Sequence, residues 1–164
     1  MNVRVGQGFD VHRFSSDPAR RLVLGGVTFE GERGLDGHSD ADVVAHCVTE
    51  ALLGAAGLGD IGTHFPDTDP RWKGADSIDL LQRAVALVRE AGWEPGNVDC
   101  SVVLNGFCLA SRRAEMEGRL SAVVGAPVTL KGRRPEGMGA LGRDEGIACF
   151  AVALVSASET GALA

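Results

Sequence analysis

Ser39-Asp40-Ala41-Asp42-Val43-Val44-Ala45-His46-Cys47-Val48-Thr49-Glu50-Ala51-Leu52-Leu53-Gly54-Ala55-Ala56-Gly57-Leu58 is the stretch on which the fold turns. Serine and aspartate side chains accept hydrogen bonds from the free N–H groups of a first helical turn. Ser39 or Asp40 is therefore expected to cap a helix running to about Leu58. Val43, Val44, Cys47, Ala51, Leu52 and Ala55 recur at helical spacing and give it an apolar stripe. Downstream, residues 59–74 read as a loop rich in Asp, Gly and Pro. Asp76 or Ser77 then caps a second helix carrying Ile78, Leu81, Val85 and Val88, with Gly92 as its stop. A strand over 98–104, a third helix over 110–124 with Met116, Leu120 and Val123 inward, and a short strand over 127–131 follow. A glycine-rich basic loop over 132–143 leads to a last strand over 146–156.

Upstream, Val3, Val5, Phe9 and Val11 alternate, which predicts a strand from Val3 to Phe14 that bends at Gly6 and Gly8. Arg21 to Phe29 reads as a second strand with a bulge at Gly25-Gly26, joined to the first as a hairpin through 15–20. The order β-β-α-α-β-α-β-β is that of an α+β domain, a mixed sheet with helices on one face. One domain over 1–156 and a flexible tail over 157–164 are expected. No helix is left for the sheet's other face, which points to an oligomer.

Composition narrows the function classes. The 164 residues suit one domain, and 45% hydrophobic with 23% charged residues excludes a disordered chain. No apolar run reaches the roughly 18 residues of a membrane helix. The start MNVRVGQGFD has no basic-then-apolar leader, so a cytoplasmic protein with no membrane association is expected. A net charge of −6 disfavours nucleic acid as a partner, because a polyanion requires a basic face. Cys47, Cys100, Cys108 and Cys149 form no CxxC pair, so no zinc finger is encoded. The first two and the last lie in apolar segments, and Cys108 lies in a loop.

Three of the four histidines stand beside carboxylates. Asp10 and His12 share a face of the first strand, since side chains alternate with period two. His46 lies on the first helix, four residues after Asp42. Asp10, His12 and His46 together supply the three N/O ligands of a zinc site that keeps a fourth position open. Asp-x-His equally describes a hydrogen-bonded structural pair, and its spacing does not choose. His38-Ser39-Asp40 stands at a helix start, where N–H groups attract phosphate, or where a plain cap sits beside an exposed histidine. His64 has no partner spacing. Asp60-Ile61-Gly62 and Phe65-Pro66-Asp67-Thr68-Asp69 place carboxylates where they can hold the hydroxyls of a polyol, or simply form Asx turns. Lys131-Gly132-Arg133-Arg134, with Glu136 and Arg143, concentrates cations in an acidic chain and suits a diphosphate. Glu136 can share a divalent ion with it.

Gly6 to His12, Gly37 to His46, Leu53 to Pro70 and Gly142 to Cys149, with the run LLGAAGLGDIGTHFPDTDP, occur together in this order. In these segments the chain resembles the 2-C-methyl-D-erythritol 2,4-cyclodiphosphate synthases of the non-mevalonate isoprenoid pathway. The resemblance implies conversion of 4-diphosphocytidyl-2-C-methyl-D-erythritol 2-phosphate to the cyclic diphosphate and CMP. It implies a homotrimer with active sites at the subunit interfaces, zinc on Asp10, His12 and His46, and a second cation, magnesium or manganese, on Glu136. His38 and Ser39 would contact phosphate. Asp60, Ile61, Gly62 and Phe65 to Asp69 would hold the methylerythritol, and Arg143 a phosphate. Where the family carries a run of threonines before the glutamate, this sequence has Arg133, Arg134 and Pro135, so Arg134 would take over a catalytic hydroxyl's place. Where the family's cytosine loop carries Ala-Pro-Lys, this sequence has Asn105-Gly106-Phe107-Cys108-Leu109, with the proline and lysine both gone. Two other outcomes fit the same residues: a relative that binds zinc and an isoprenoid diphosphate or a partner without releasing CMP, and a phosphohydrolase with a linear product.

Overall fold

Asp42, rather than Ser39 or Asp40, starts the first long helix. Its carboxylate accepts from the N–H groups of Val44 and Ala45 at 3.1 and 3.0 Å. Ala41 takes a left-handed φ of 60°, which breaks any helical path from the two earlier residues. The computed structural model describes residues 2–158. In chain order these form β1 (Val3–Arg13), β2 (Leu22–Leu24), β3 (Val27–Phe29), α1 (Val43–Ala56), α2 (Ile61–His64), α3 (Ser77–Glu90), β4 (Trp93–Val103), α4 (Arg113–Val124), β5 (Val128–Arg133), α5 (Gly139–Gly142) and β6 (Gly146–Ala157). Single 3-10 turns lie at Pro70–Trp72 and Leu109–Ser111.

The main sheet has the order β1-β6-β4-β5. β6 runs antiparallel to both neighbours, and β4 runs parallel to β5 through the α4 crossover. The expected α+β class and mixed sheet hold, but the element order differs. The stretch Arg21 to Phe29 is not one bulged strand paired to β1. It is a separate two-stranded ribbon, β2 against β3, turned at Gly25-Gly26. Both glycines have positive φ, 56° and 72°, the backbone of a tight two-residue hairpin loop. From sequence alone a bulge and such a turn look the same. Asp42 also accepts from Gly25 N and Gly26 N at 2.8 and 2.7 Å, so one buried carboxylate fastens the ribbon's turn to the start of α1. Burial pushes its carboxyl up to about 6, against the pull of the N–H donors.

The remaining departures are local. β4 begins at Trp93 because its first residues pair with the end of β6 across an irregularity at Pro95/Asn97. Short helices α2 and α5 sit inside stretches expected to be loops. On α4, Val124 is buried and Val123 only half-buried. Of the expected tail, Ala157 belongs to β6 and Ser158 N donates to Gly92 O, while residues 159–164 lie outside the described residues.

α1 is buried almost all round, Val48, Leu53 and Ala56 included, as befits a helix held between a sheet and other helices. Each large aliphatic side chain so buried is worth roughly 1.5–3 kcal/mol. The helix approaches β1 closely because Gly6 and Gly8 face it. A Cβ on Gly8 would lie 2.1 Å from the Cys47 carbonyl oxygen and 2.9 Å from Ala51 N. Both are backbone atoms and cannot swing aside. Gly8→Ala is therefore expected to destabilise the fold by about 3 kcal/mol or more, read by urea unfolding. A change under about 0.5 kcal/mol, the ordinary size of a surface substitution, would show that α1 can lift off the sheet at little cost.

Candidate functional site

Inward-facing positions of β1 continue from Gly6 and Gly8 to Asp10 and His12, and α1 presents His46 to them. Asp10 Oδ2 lies 3.1 Å from His12 Nε2 and 3.0 Å from His46 Nδ1, and the two nitrogens are 3.3 Å apart. A tetrahedral zinc ion with bonds of about 2.0–2.1 Å holds its ligand atoms about 3.3–3.4 Å apart. The three atoms thus come close to marking one face of such a tetrahedron. Among the described residues this is the one group of three metal-ligating side chains brought together.

The outer nitrogens fix the tautomers. His12 Nδ1 meets the Asp36 carbonyl oxygen at 2.6 Å, so it carries the hydrogen and Nε2 offers its lone pair inward. His46 Nε2 meets Ser77 Oγ at 2.8 Å and Ser39 Oγ at 3.1 Å. Ser77 Oγ donates to the Asp40 carboxylate, and so accepts from His46. Two lone pairs and a carboxylate facing one point require a proton or a cation there. The pKa shifts agree. Burial works against ionisation of Asp10, but its hydrogen bonds with His12 and His46 hold the carboxyl well below its ordinary range. Burial also works against protonation of His12, yet the Asp10 carboxylate raises it.

Ser77 is the residue that sequence reasoning missed. It was legible only as a helix cap, and Asp76 performs that function, accepting from Ile78 N at 2.8 Å. Ser77→Ala is expected to weaken metal binding about 10–100-fold, the usual cost of losing a hydrogen bond behind a ligand, as read by competition with a chromogenic chelator. An unchanged affinity would mean that Ser39 alone orients His46.

A cavity of about 280 Å³ opens over the three ligands. His38, Ser39, Ile61, Phe65, Asp67, Trp72 and Leu80 complete its lining. Trp72 and Leu80 were not foreseen; Trp72 meets Phe65 edge-on at 5.2 Å. His38 is exposed at the cavity, whereas Ser39 is buried behind His46. Two of the N–H groups that open α1, those of Val44 and Ala45, are taken by Asp42 and are not free for an anion. Asp60 caps α2 through Thr63 N and Oγ1, both at 2.7 Å, and those bonds lower its pKa. Asp69 is gripped by Arg71. Asp60, Gly62, Pro66, Thr68 and Asp69 are not in the lining. His64 Nε2 binds Leu58 O at 2.8 Å and acts within its loop.

A second cavity, of about 220 Å³, lies at the far end of β5. Its walls are Leu104, Phe107, Cys108, Leu109, Ala110, Arg113, Gly132, Arg133 and Arg134, so the structure unites the loop after β4 with the cations at the end of β5. The two cavities share no lining residue. Glu136 is exposed in a left-handed turn with a φ of 52°. Arg143 Nε donates to Glu145 at 2.7 Å.

The model of the YgbB family matches residues 3–156. The chain belongs to the YgbB family. Among its YgbB relatives, the 2-C-methyl-D-erythritol 2,4-cyclodiphosphate synthase of Symbiobacterium thermophilum is 52% identical over 155 residues, 93% of this chain and 98% of that one. The bifunctional enzyme IspD/IspF of Anaeromyxobacter dehalogenans is 53% identical over 156 residues, 93% of this chain and 40% of that one. The chain thus spans about two-fifths of that bifunctional relative and nearly all of the single-function one. The structure of the Plasmodium falciparum IspF in complex with CDP superposes with a TM-score of 0.82 at 30% identity, over 96% of this chain and 98% of that one. Among the described residues of this YgbB chain, no helix is long and apolar enough to cross a membrane.

Proposed function

We propose that this chain is a phosphorus–oxygen lyase that converts 4-diphosphocytidyl-2-C-methyl-D-erythritol 2-phosphate into 2-C-methyl-D-erythritol 2,4-cyclodiphosphate and CMP. The observation that carries the proposal is the convergence of Asp10 Oδ2, His12 Nε2 and His46 Nδ1 under a cavity walled by Ile61, Phe65 and Asp67. An oxygen of the 2-phosphate attacks the β-phosphorus. The bond from that phosphorus to the bridging oxygen breaks, and CMP departs with the electron pair. No protein nucleophile is required, so catalysis rests on positioning and charge neutralisation.

Zinc, or a similar divalent ion, fits the three ligand atoms, and such an ion supplies a Lewis acid for a phosphoryl oxygen. Asp10, His12 and His46 would hold it, and Asp36, Ser39, Ser77 and Asp40 fix their orientation. His38 donates to a phosphate oxygen at the cavity mouth. Asp67 holds the erythritol hydroxyls, and Ile61 and Phe65 wall its carbon skeleton. Asp60 and Asp69, bonded to Thr63 and Arg71, set the shape of the loop that also carries Gly62, Pro66 and Thr68. Arg133, Arg134 and Arg143 neutralise the diphosphate. Glu136 is a single carboxylate, which suits magnesium or manganese, since such an ion takes one or two carboxylates and completes its shell with phosphate and water. A cytoplasmic setting is part of the proposal.

The functional unit proposed is a homotrimer with its sites between subunits. Two features support this. On the sheet face away from the helices, Val3, Val5, Phe9, Val11, Phe150 and Val152 are exposed, Val5 by 65%. The metal cavity and the arginine cavity are separate on one chain, and a neighbour brings the second to the first. Phosphorus NMR of the zinc-loaded protein with substrate and magnesium tests the activity. Cyclic diphosphate with CMP is expected. A linear product would make it a hydrolase, and unchanged substrate with zinc bound would make it a binding-only relative.

A further inference from the structure

The cavity after β4 and β5 carries Arg113, Arg133 and Arg134, and no carboxylate lines it. That is anomalous in a chain with 22 acidic and 16 basic residues. Nearby acids are engaged elsewhere. Glu115 is held by Arg112 and Arg119, and Asp99 by Lys131 and Thr129. Glu136 follows Arg134 in the chain and is not in the lining. Among the described residues, none of the three cavity arginines forms an ion pair, although their neighbour Arg112 does. Arg113 is, moreover, the first residue of α4. A cation there opposes the helix dipole, which favours negative charge at that end. A charge that local rules disfavour, lining with two others a cavity that no carboxylate lines, is explained by an anionic ligand.

We propose that Arg113 is a third phosphate-binding residue of the nucleotide site, supplied by α4 and holding the phosphate of the departing nucleotide together with Arg133 and Arg134. The assignment rests on the cyclase proposal for the identity of the ligand, but not for the existence of the anion site. The other walls, Leu104, Phe107, Cys108, Leu109 and Ala110, offer apolar surface and a thiol, so charge supplies most of the grip.

The test is calorimetric titration with CMP, inorganic pyrophosphate and cytidine, on wild type, Arg113→Ala and Arg113→Lys. Arg89→Gln, an exposed arginine outside the cavity, controls for net charge. Arg113→Ala is expected to weaken CMP and pyrophosphate about tenfold, in the range of one charge-assisted hydrogen bond, and to leave cytidine unchanged. Lysine is expected to recover part of the loss, and added salt to weaken wild type more than the alanine variant. In turnover the loss appears in KM rather than kcat. Wild-type affinity for CMP and pyrophosphate in Arg113→Ala overturns the inference, as does an equal loss for cytidine or in Arg89→Gln. Failure of wild type to bind either phosphate compound also overturns it. Loss of pyrophosphate binding on substitution, in a protein that forms no cyclic diphosphate, upholds the anion site and rejects the cyclase proposal.

Discussion

His46→Ala is expected to lose the capacity to bind zinc at this cluster and to turn over at least about a thousandfold more slowly, the several kcal/mol that a Lewis acid contributes to phosphoryl transfer. The variant leaves Asp10 and His12 on one strand with no third ligand facing them, since α1 supplies no other donor at that point. Its fold is expected to persist, because α1 is held by its buried apolar residues and by Asp42, none of which the substitution touches. Metal analysis, far-UV circular dichroism and turnover decide together. Full zinc occupancy in a folded His46→Ala protein would remove this residue from the metal site.

The same cluster makes stability depend on pH in opposite ways with and without metal. Asp10 has a lowered carboxyl pKa in the fold, so its contribution is present above the unfolded value near 3.8 and is lost as pH falls through the folded value. His12 has a raised pKa, so its contribution is complete below 6.5 and is lost as pH rises through its folded value. The metal-free protein is therefore expected to be most stable between the two and to lose melting temperature toward pH 8. With zinc the trend reverses, because the ion competes with the proton on His12 and binds more tightly as pH rises. Melting curves at pH 6 and pH 8, with chelator and with zinc, measure this. Parallel trends in the two series would show that no proton occupies the metal-free cluster.

Sequence carried the metal triad because the chemistry is local to each element. Period two puts Asp10 and His12 on one face, while His46 read alone is equally well a structural helix histidine and joins them through the family resemblance. Which face that would be was not legible. On β1 the side toward the helices bears Gly6 and Gly8, and the apolar residues point away, because α1 packs against bare backbone. Apolar alternation marks a buried face without saying what buries it. Ser77 escaped for a different reason. It reaches His46 from another helix, through a hydroxyl bonded to Asp40, a link across 37 residues that has no periodic signature. The Gly25-Gly26 turn escaped because a bulge and a hairpin loop require the same residue, and the choice falls to Asp42, which accepts from both of their N–H groups.

Phe9→Glu is expected to convert the proposed homotrimer to monomers and to reduce turnover below about 1% of wild type, while each chain keeps its capacity to bind metal. Phe9 and Phe150 lie opposite one another in the β1–β6 register, with ring centroids 4.8 Å apart, and both are about half exposed. On a lone chain a glutamate there would be nearly neutral, since the site is open to water. In a trimer packed through this face, three carboxylates would be brought together out of water, at a cost of several kcal/mol per ion. Asp10, His12, His46 and their supports Asp36, Ser39, Ser77 and Asp40 all come from one chain, so the monomer retains its ligand set. If the site is interfacial as proposed, the monomer lacks a neighbour's Arg113, Arg133 and Arg134 over that ligand set. Zinc retained with turnover lost, alongside a monomer by sedimentation, would locate the defect in the second half of the site. Full activity in a monomeric Phe9→Glu would mean that one chain closes both cavities over a single substrate, and the interfacial site would have to be abandoned.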